Sequence, residues 1–86
     1  VDFEKYPNLK LAIDACKKGQ GAFTALNAAN EVAVDAFLNE TIKFTDIFKI
    51  NETSVNKFVS EKVSNINEVI ALDTRVRAFA RSLLTD

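Results

Sequence analysis

Leu26-Asn27-Ala28-Ala29-Asn30-Glu31-Val32-Ala33-Val34 lies inside the longest apolar-periodic run of the chain, and its reading decides the fold. At about 100° per residue, Ala25, Leu26, Ala29, Val32, Ala33, Ala36 and Phe37 share one broad side of a helix, with Phe23, Val34 and Leu38 extending it. A surface helix needs an apolar stripe only about 100° wide. The wider arc implies a helix covered on more than one side. Thr24, Glu31, Asp35 and Asn39 form the narrow wet side. Asn30 projects into the apolar arc between Phe37 and Phe23, and Asn27 sits at its margin.

Working outward, Gly19-Gln20-Gly21 reads as a turn before this helix, which is expected over about Ala22 to Leu38. An earlier helix starts at Pro7, since proline at the first helical position forfeits no hydrogen bond. Leu9, Ala12, Ile13 and Cys16 follow at helical spacing. Lys17-Lys18-Gly19 closes it, with cations at the carbonyl end and a glycine able to take the left-handed cap. Val1 to Tyr6 has no period and reads as a connecting arm, residues 1–6, leaving 7–86 as one helical domain.

After the break at Asn39-Glu40-Thr41, Thr45 is the natural N-cap of a third helix over about Asp46 to Lys62. Its buried side is expected from Ile47, Phe48, Ile50, Val55, Phe58 and Val59. Asn51, Thr53, Ser54 and Asn56 lower its intrinsic propensity, so it leans on tertiary packing. Asn65-Ile66-Asn67-Glu68 has the spacing of a capping box and opens a fourth helix. Val69, Leu72, Val76, Phe79 and Leu83 form a seam of period 3.5, and Asp73 and Arg77 stand four apart as an ion pair. No segment calls for a sheet. The fold class is all-α, a four-helix bundle, regular or irregular, with a broadly buried second helix.

The 86 residues are 48% hydrophobic and 27% charged, with a net charge of −1, ordinary values for one globular domain. A nucleic-acid partner is disfavoured, because such binders gather a basic surplus on one face. No apolar run approaches the roughly 20 residues needed to cross a bilayer, so no membrane partner is expected. The acidic opening Val1-Asp2-Phe3-Glu4 lacks a signal-peptide pattern. One cysteine, Cys16, cannot pair internally, which fits a reducing, cytoplasmic compartment. The chain begins without Met, so something is expected either to have been removed or to lie upstream.

Candidate chemistry is sparse. Without histidine the chain lacks the commonest general base and zinc ligand. Cys16, near a helix C-terminus on the apolar face, reads as a core residue rather than a nucleophile. Glu31 and Asp35 could hold a metal by their spacing, but they point to the wet side and read as a solvated face. Gly19-Gln20-Gly21 before a helix could cradle a phosphate, yet a plain turn is the better reading. Asn30 is the informative polar residue, since burying an unpaired amide costs about 1–3 kcal/mol. It either ties down a neighbouring loop or contacts a partner domain or ligand.

The same stretch carries a family resemblance. Leu26-Asn27-Ala28-Ala29-Asn30-Glu31 with Val34, Phe37 and Leu38, then Ile42-Lys43-Phe44-Thr45-Asp46-Ile47, resembles the C-terminal helical domain of 1-deoxy-D-xylulose 5-phosphate reductoisomerase. Tyr6-Pro7 with Leu9, Leu11 and Ala12, and Asp73, Arg77, Ala80 and Arg81, continue the match across nearly the whole chain. The resemblance implies an oxidoreductase of non-mevalonate isoprenoid biosynthesis that converts this sugar phosphate to 2-C-methyl-D-erythritol 4-phosphate. It implies NADPH and Mg²⁺ or Mn²⁺ as cofactors, a cytoplasmic homodimer, and N-terminal NADPH-binding and central catalytic domains that are not in this chain.

The resemblance places the family's chemistry in those other domains. No catalytic, cofactor-binding or metal residue is therefore carried over, and the chain by itself is expected to be inactive. Asn27, Asn30 and Glu31 remain as structural or domain-contact candidates. The expected partner is the catalytic domain of the same enzyme, and a face left bare by its absence would promote self-association. The alternative is an independent helical adaptor that receives a partner helix.

Overall fold

The computed structural model describes residues 7–84, apart from the side chains at 7–9, 16 and 18. The expected arm over 1–6 and the core role of Cys16 lie outside the described residues. Four helices follow in order: α1 (Pro7–Lys18), α2 (Gln20–Leu38), α3 (Phe44–Phe58) and α4 (Ile66–Leu83). No strand occurs among the described residues, and the all-α expectation stands.

Gly19 is the whole junction between α1 and α2. Its N–H donates to the Ala15 carbonyl at 3.2 Å and its own carbonyl accepts from the Phe23 N–H at 3.1 Å. It holds φ 114° and ψ −175°, a region essentially closed to residues with a Cβ. Gln20 and Gly21 therefore belong to α2 and not to a turn. Gly21 is buried, and a Cβ on it would strike the Glu61 carbonyl oxygen.

The start of α3 differs from expectation for a similarly local reason. Lys43 is the extended N-cap residue, and the Asp46 carboxylate reaches back to accept its backbone N–H at 3.0 Å. An acid inside the first turn thus does the capping, and Thr45 sits exposed as a helical residue. At the other end α3 stops at Phe58, four residues before Lys62. The Glu61 N–H turns back onto the Phe58 carbonyl at 3.0 Å, and the Glu61 carbonyl lies over Gly21. Asn65 caps α4 by accepting the Glu68 N–H at 2.9 Å. The Glu68 carboxylate takes the Ser64 N–H at 2.6 Å, one residue further back than a capping box would have it.

α2 touches all three other helices, whereas α1 and α4 make no mutual contact among the described residues. The bundle is irregular, with α2 as its spine. The main core joins Ala25, Ala28, Ala29, Val32 and Ala33 of α2 to Ile47, Ile50 and Phe58 of α3 and to Leu72, Val76 and Ala80 of α4. A smaller cluster joins Ala15 of α1, Ala22 of α2 and Val55 of α3. Val55 and Val76 are 1% and 0% exposed, and burying such a side chain contributes about 1.5–3 kcal/mol.

The buried half of α2 is its alanine side, running from Thr24 through Ala28, Ala25 and Ala29 to Ala33. Small residues let α3 and α4 approach closely, and bulky ones are pushed to the margin. Phe23 is 44% and Leu38 71% exposed, and Thr24, read as wet, is 6% exposed. Phe48 on α3 and Val59, its C-cap, are only half-buried.

Candidate functional site

Asn27, Asn30 and Glu31 occupy two successive turns of α2 at the edge of its buried side. Asn30 is exposed, contrary to its reading as a residue inside the apolar arc. The buried arc is rotated towards the alanines, which leaves position 30 beside Phe23 at the rim. Its Oδ1 nonetheless accepts from Nδ2 of Asn51 at 3.0 Å. Asn51 lies on α3 and is 1% exposed, so the buried amide is on α3 and not on α2. The neighbour tied down is a helix side chain, not a loop backbone.

Glu31 faces α4. Its carboxylate accepts from the Arg77 guanidinium, whose Nε donates to Asp73 at 2.7 Å. The two hydrogen bonds, first that to Asp73 and then that to Glu31, hold the Arg77 pKa above its usual value. Arginine is charged at every physiological pH in any case. The arrangement is an electrostatic tie between α2 and α4. Asp35 is exposed on the same side.

Asn27 is exposed in a groove of about 270 Å³ lined by Ala12, Phe23, Leu26, Asn27, Asn30 and Asn51. α1, α2 and α3 each contribute to it. Asn27 and Asn30 thus share one surface feature, and Glu31 belongs to another.

No group of three His, Cys, Asp or Glu side chains among the described residues could hold a metal ion. At the start of α2, the Glu61 carbonyl over Gly21 presents an acceptor where a phosphate would need donors. No described helix is long and apolar enough to cross a membrane.

Beside Thr24, the burial of two polar residues of α3 escapes the sequence reading. Asn51 and Ser54 are 1% and 0% exposed, and the Ser54 hydroxyl has no hydrogen-bond partner among the described residues. Their signal was present: Ile47, Ile50, Asn51, Ser54, Val55 and Phe58 form one series at steps of three and four. Polarity masked their membership of that face. The Arg77–Asp73 pair followed from spacing along α4, but the cross-helix arm to Glu31 did not.

Comparison with known proteins places this chain in a family. The family model described as DXP reductoisomerase C-terminal domain matches residues 1–79. A protein of Colwellia psychrerythraea named 1-deoxy-D-xylulose 5-phosphate reductoisomerase is 76% identical over the whole chain. Proteins of the same name from Tolumonas auensis and Haemophilus ducreyi are 47% identical over 99% and 51% identical over 96% of the chain. The chain spans 21% of the length of each of these relatives. The chain belongs to the DXP reductoisomerase C-terminal domain family.

Proposed function

We propose that the chain serves as the C-terminal helical domain of a 1-deoxy-D-xylulose 5-phosphate reductoisomerase, supporting the catalytic part of that enzyme by packing against it. The observation that carries this reading is the 76% identity over the full chain to a protein of that name, of which the chain makes up 21%. The whole enzyme would rearrange and reduce the sugar phosphate to 2-C-methyl-D-erythritol 4-phosphate for isoprenoid biosynthesis. By the family resemblance the whole enzyme would use NADPH and Mg²⁺ or Mn²⁺ as cofactors. A homodimer in the cytoplasm completes the proposal.

The described residues do not fit either cofactor. They offer no cluster of metal-ligating side chains, and the glycine-bearing start of α2 is covered by the Glu61 carbonyl. The reaction belongs to the rest of the polypeptide, and Asn27, Asn30 and Glu31 act in architecture and domain contact. The independent-adaptor reading is not favoured, because the family match runs through residues 1–79.

Assay of sugar-phosphate-dependent NADPH oxidation tests the reading. The full-length polypeptide is expected to turn over, the chain alone to be inactive, and the full-length form lacking residues 7–86 to lose most activity. Turnover by the chain alone, or full activity without it, would overturn the proposal.

A further inference from the structure

We propose that the groove between the C-terminal halves of α2 and α4 is a two-fold interface with a second copy of this chain, in which Asp35 of each copy pairs with Arg81 of the other. Charge and helical register identify the partner, independently of the reading above.

α2 and α4 run side by side in the same direction. Glu31 accepts from Arg77, and further along the two helices a groove of about 370 Å³ is walled by Asp35 and Asn39 on α2 and by Arg81 and Leu84 on the α4 side. Asp35 and Arg81 each stand one turn beyond the bonded pair, at i+4 from Glu31 and from Arg77. Both are exposed, and among the described residues no ion pair engages either of them. The first acid–base rung between the helices is closed within the chain, and the second is open.

An isologous contact sets one patch against its own image. With the two-fold axis along the groove, α2 of one copy lies over α4 of the other. Acid then meets base in both directions, since Asp35 faces the partner's Arg81 and Arg81 faces the partner's Asp35. The next level along the helices matches as well. Leu38 and Leu84 lie at i+7 from Glu31 and Arg77, two turns on. Leu38, 71% exposed, thus comes over the half-buried Leu84 of the partner subunit. Apolar contact flanked by paired polar groups is the ordinary composition of an interface. Any other occupant would need an acid, a base and an apolar side chain at these same spacings, whereas a second copy has them by its own sequence.

Sedimentation equilibrium of the chain, whose helices close cores of their own, tests the assignment through charge reversal. Asp35→Arg and Arg81→Asp should each weaken self-association about tenfold, because the two-fold repeats every change and sets like charges together. Mixed in equal amounts, the two variants should associate as tightly as the parent: the introduced arginine meets the introduced aspartate, and the native residues meet each other. A chain carrying both reversals should recover likewise, and Leu38→Glu should weaken the contact with all four charges in place. A monomeric parent, single reversals that associate unchanged, or a mixture no tighter than either variant overturns the proposal. Recovery in the double variant without recovery in the mixture also overturns it, by placing the Asp35–Arg81 pair within one chain. Failure of both overturns it in favour of a different occupant. Where a reversed variant loses helical circular dichroism, Asp35→Asn and Arg81→Gln carry the test, and unchanged association in both refutes the interface.

Discussion

Nδ2 of Asn51, on a side chain 1% exposed, donates to Oδ1 of Asn30 on the exposed rim of α2 at 3.0 Å. The two ends of this bond have unequal environments, and the inequality sets what each substitution costs. Removing Asn30 takes one hydrogen bond from an interior amide, a loss of about 1 kcal/mol. Asn30→Ala should therefore lower the urea midpoint beyond what an exposed position ordinarily does. Asn27→Ala, in the same groove, should stay within about 0.5 kcal/mol of the parent. Equal midpoints for the two variants would contradict the finding.

Gly21 and Gly19 should both resist substitution by alanine, for different reasons. An alanine in a helix interior ordinarily gains about 1 kcal/mol over glycine. At Gly21 the new Cβ meets backbone, the Glu61 carbonyl, and backbone cannot rotate away. Overpacking of this kind costs about 1–3 kcal/mol, so Gly21→Ala should be destabilising on balance. Gly19 has open space around it, but its φ of 114° costs a residue with a Cβ about 1–3 kcal/mol. Thermal unfolding of both variants decides the matter, and a raised Tm for Gly21→Ala would show that the loop over α2 gives way.

Arg77 should be worth more than Arg75. Its side chain is 29% exposed and bonds carboxylates on two helices, whereas the Arg75–Glu61 pair is 59% and 37% exposed. Exposed pairs contribute about 0.2–1 kcal/mol. Arg77→Ala should reach the upper end of that range, and Arg75→Ala should fall near its lower end. A double-mutant cycle between Glu31→Ala and Arg77→Ala should give a positive coupling that shrinks in about 1 M salt, where the screening length falls to about 3 Å. Strict additivity would mean the tie between α2 and α4 carries no energy.

The chain separated from its parent should self-associate weakly as concentration rises. Leu38 is 71% and Phe44 69% exposed, and Phe44 stacks edge-on with Phe37 at 5.6 Å between ring centres, which gathers apolar surface at one end of the bundle. Contiguous apolar surface of this sort drives association. Sedimentation velocity should show a rising weight-average mass, reduced in Leu38→Glu. A constant monomer mass across the concentration range would refute it.

Much of the fold was legible because local signals agreed with tertiary demand. Pro7 opens α1, the lysines and Gly19 end it, Asn65 caps α4, and Leu72 and Val76 of the predicted seam are buried. The failures share one cause. A helical wheel weighs residues by hydrophobicity, so it puts Phe23 and Leu38 inside and leaves Thr24, Asn51 and Ser54 out. Packing weighs them by fit: close approach selects alanine, glycine and short polar side chains at the contact, and expels large side chains to the rim.

The sequence by itself determined the helix count, the central place of α2 and the family, because helical periodicity, capping chemistry and the Leu26–Glu31 stretch are all encoded within a few neighbouring residues. Only the tertiary structure decided which half of α2 is buried, that Asn51 rather than Asn30 is the interior amide, and that Glu31 reaches Arg77 across 46 positions. Those outcomes depend on which surfaces come within a few ångströms of each other. Close packing against three helices at once sets that distance, and no local pattern contains it.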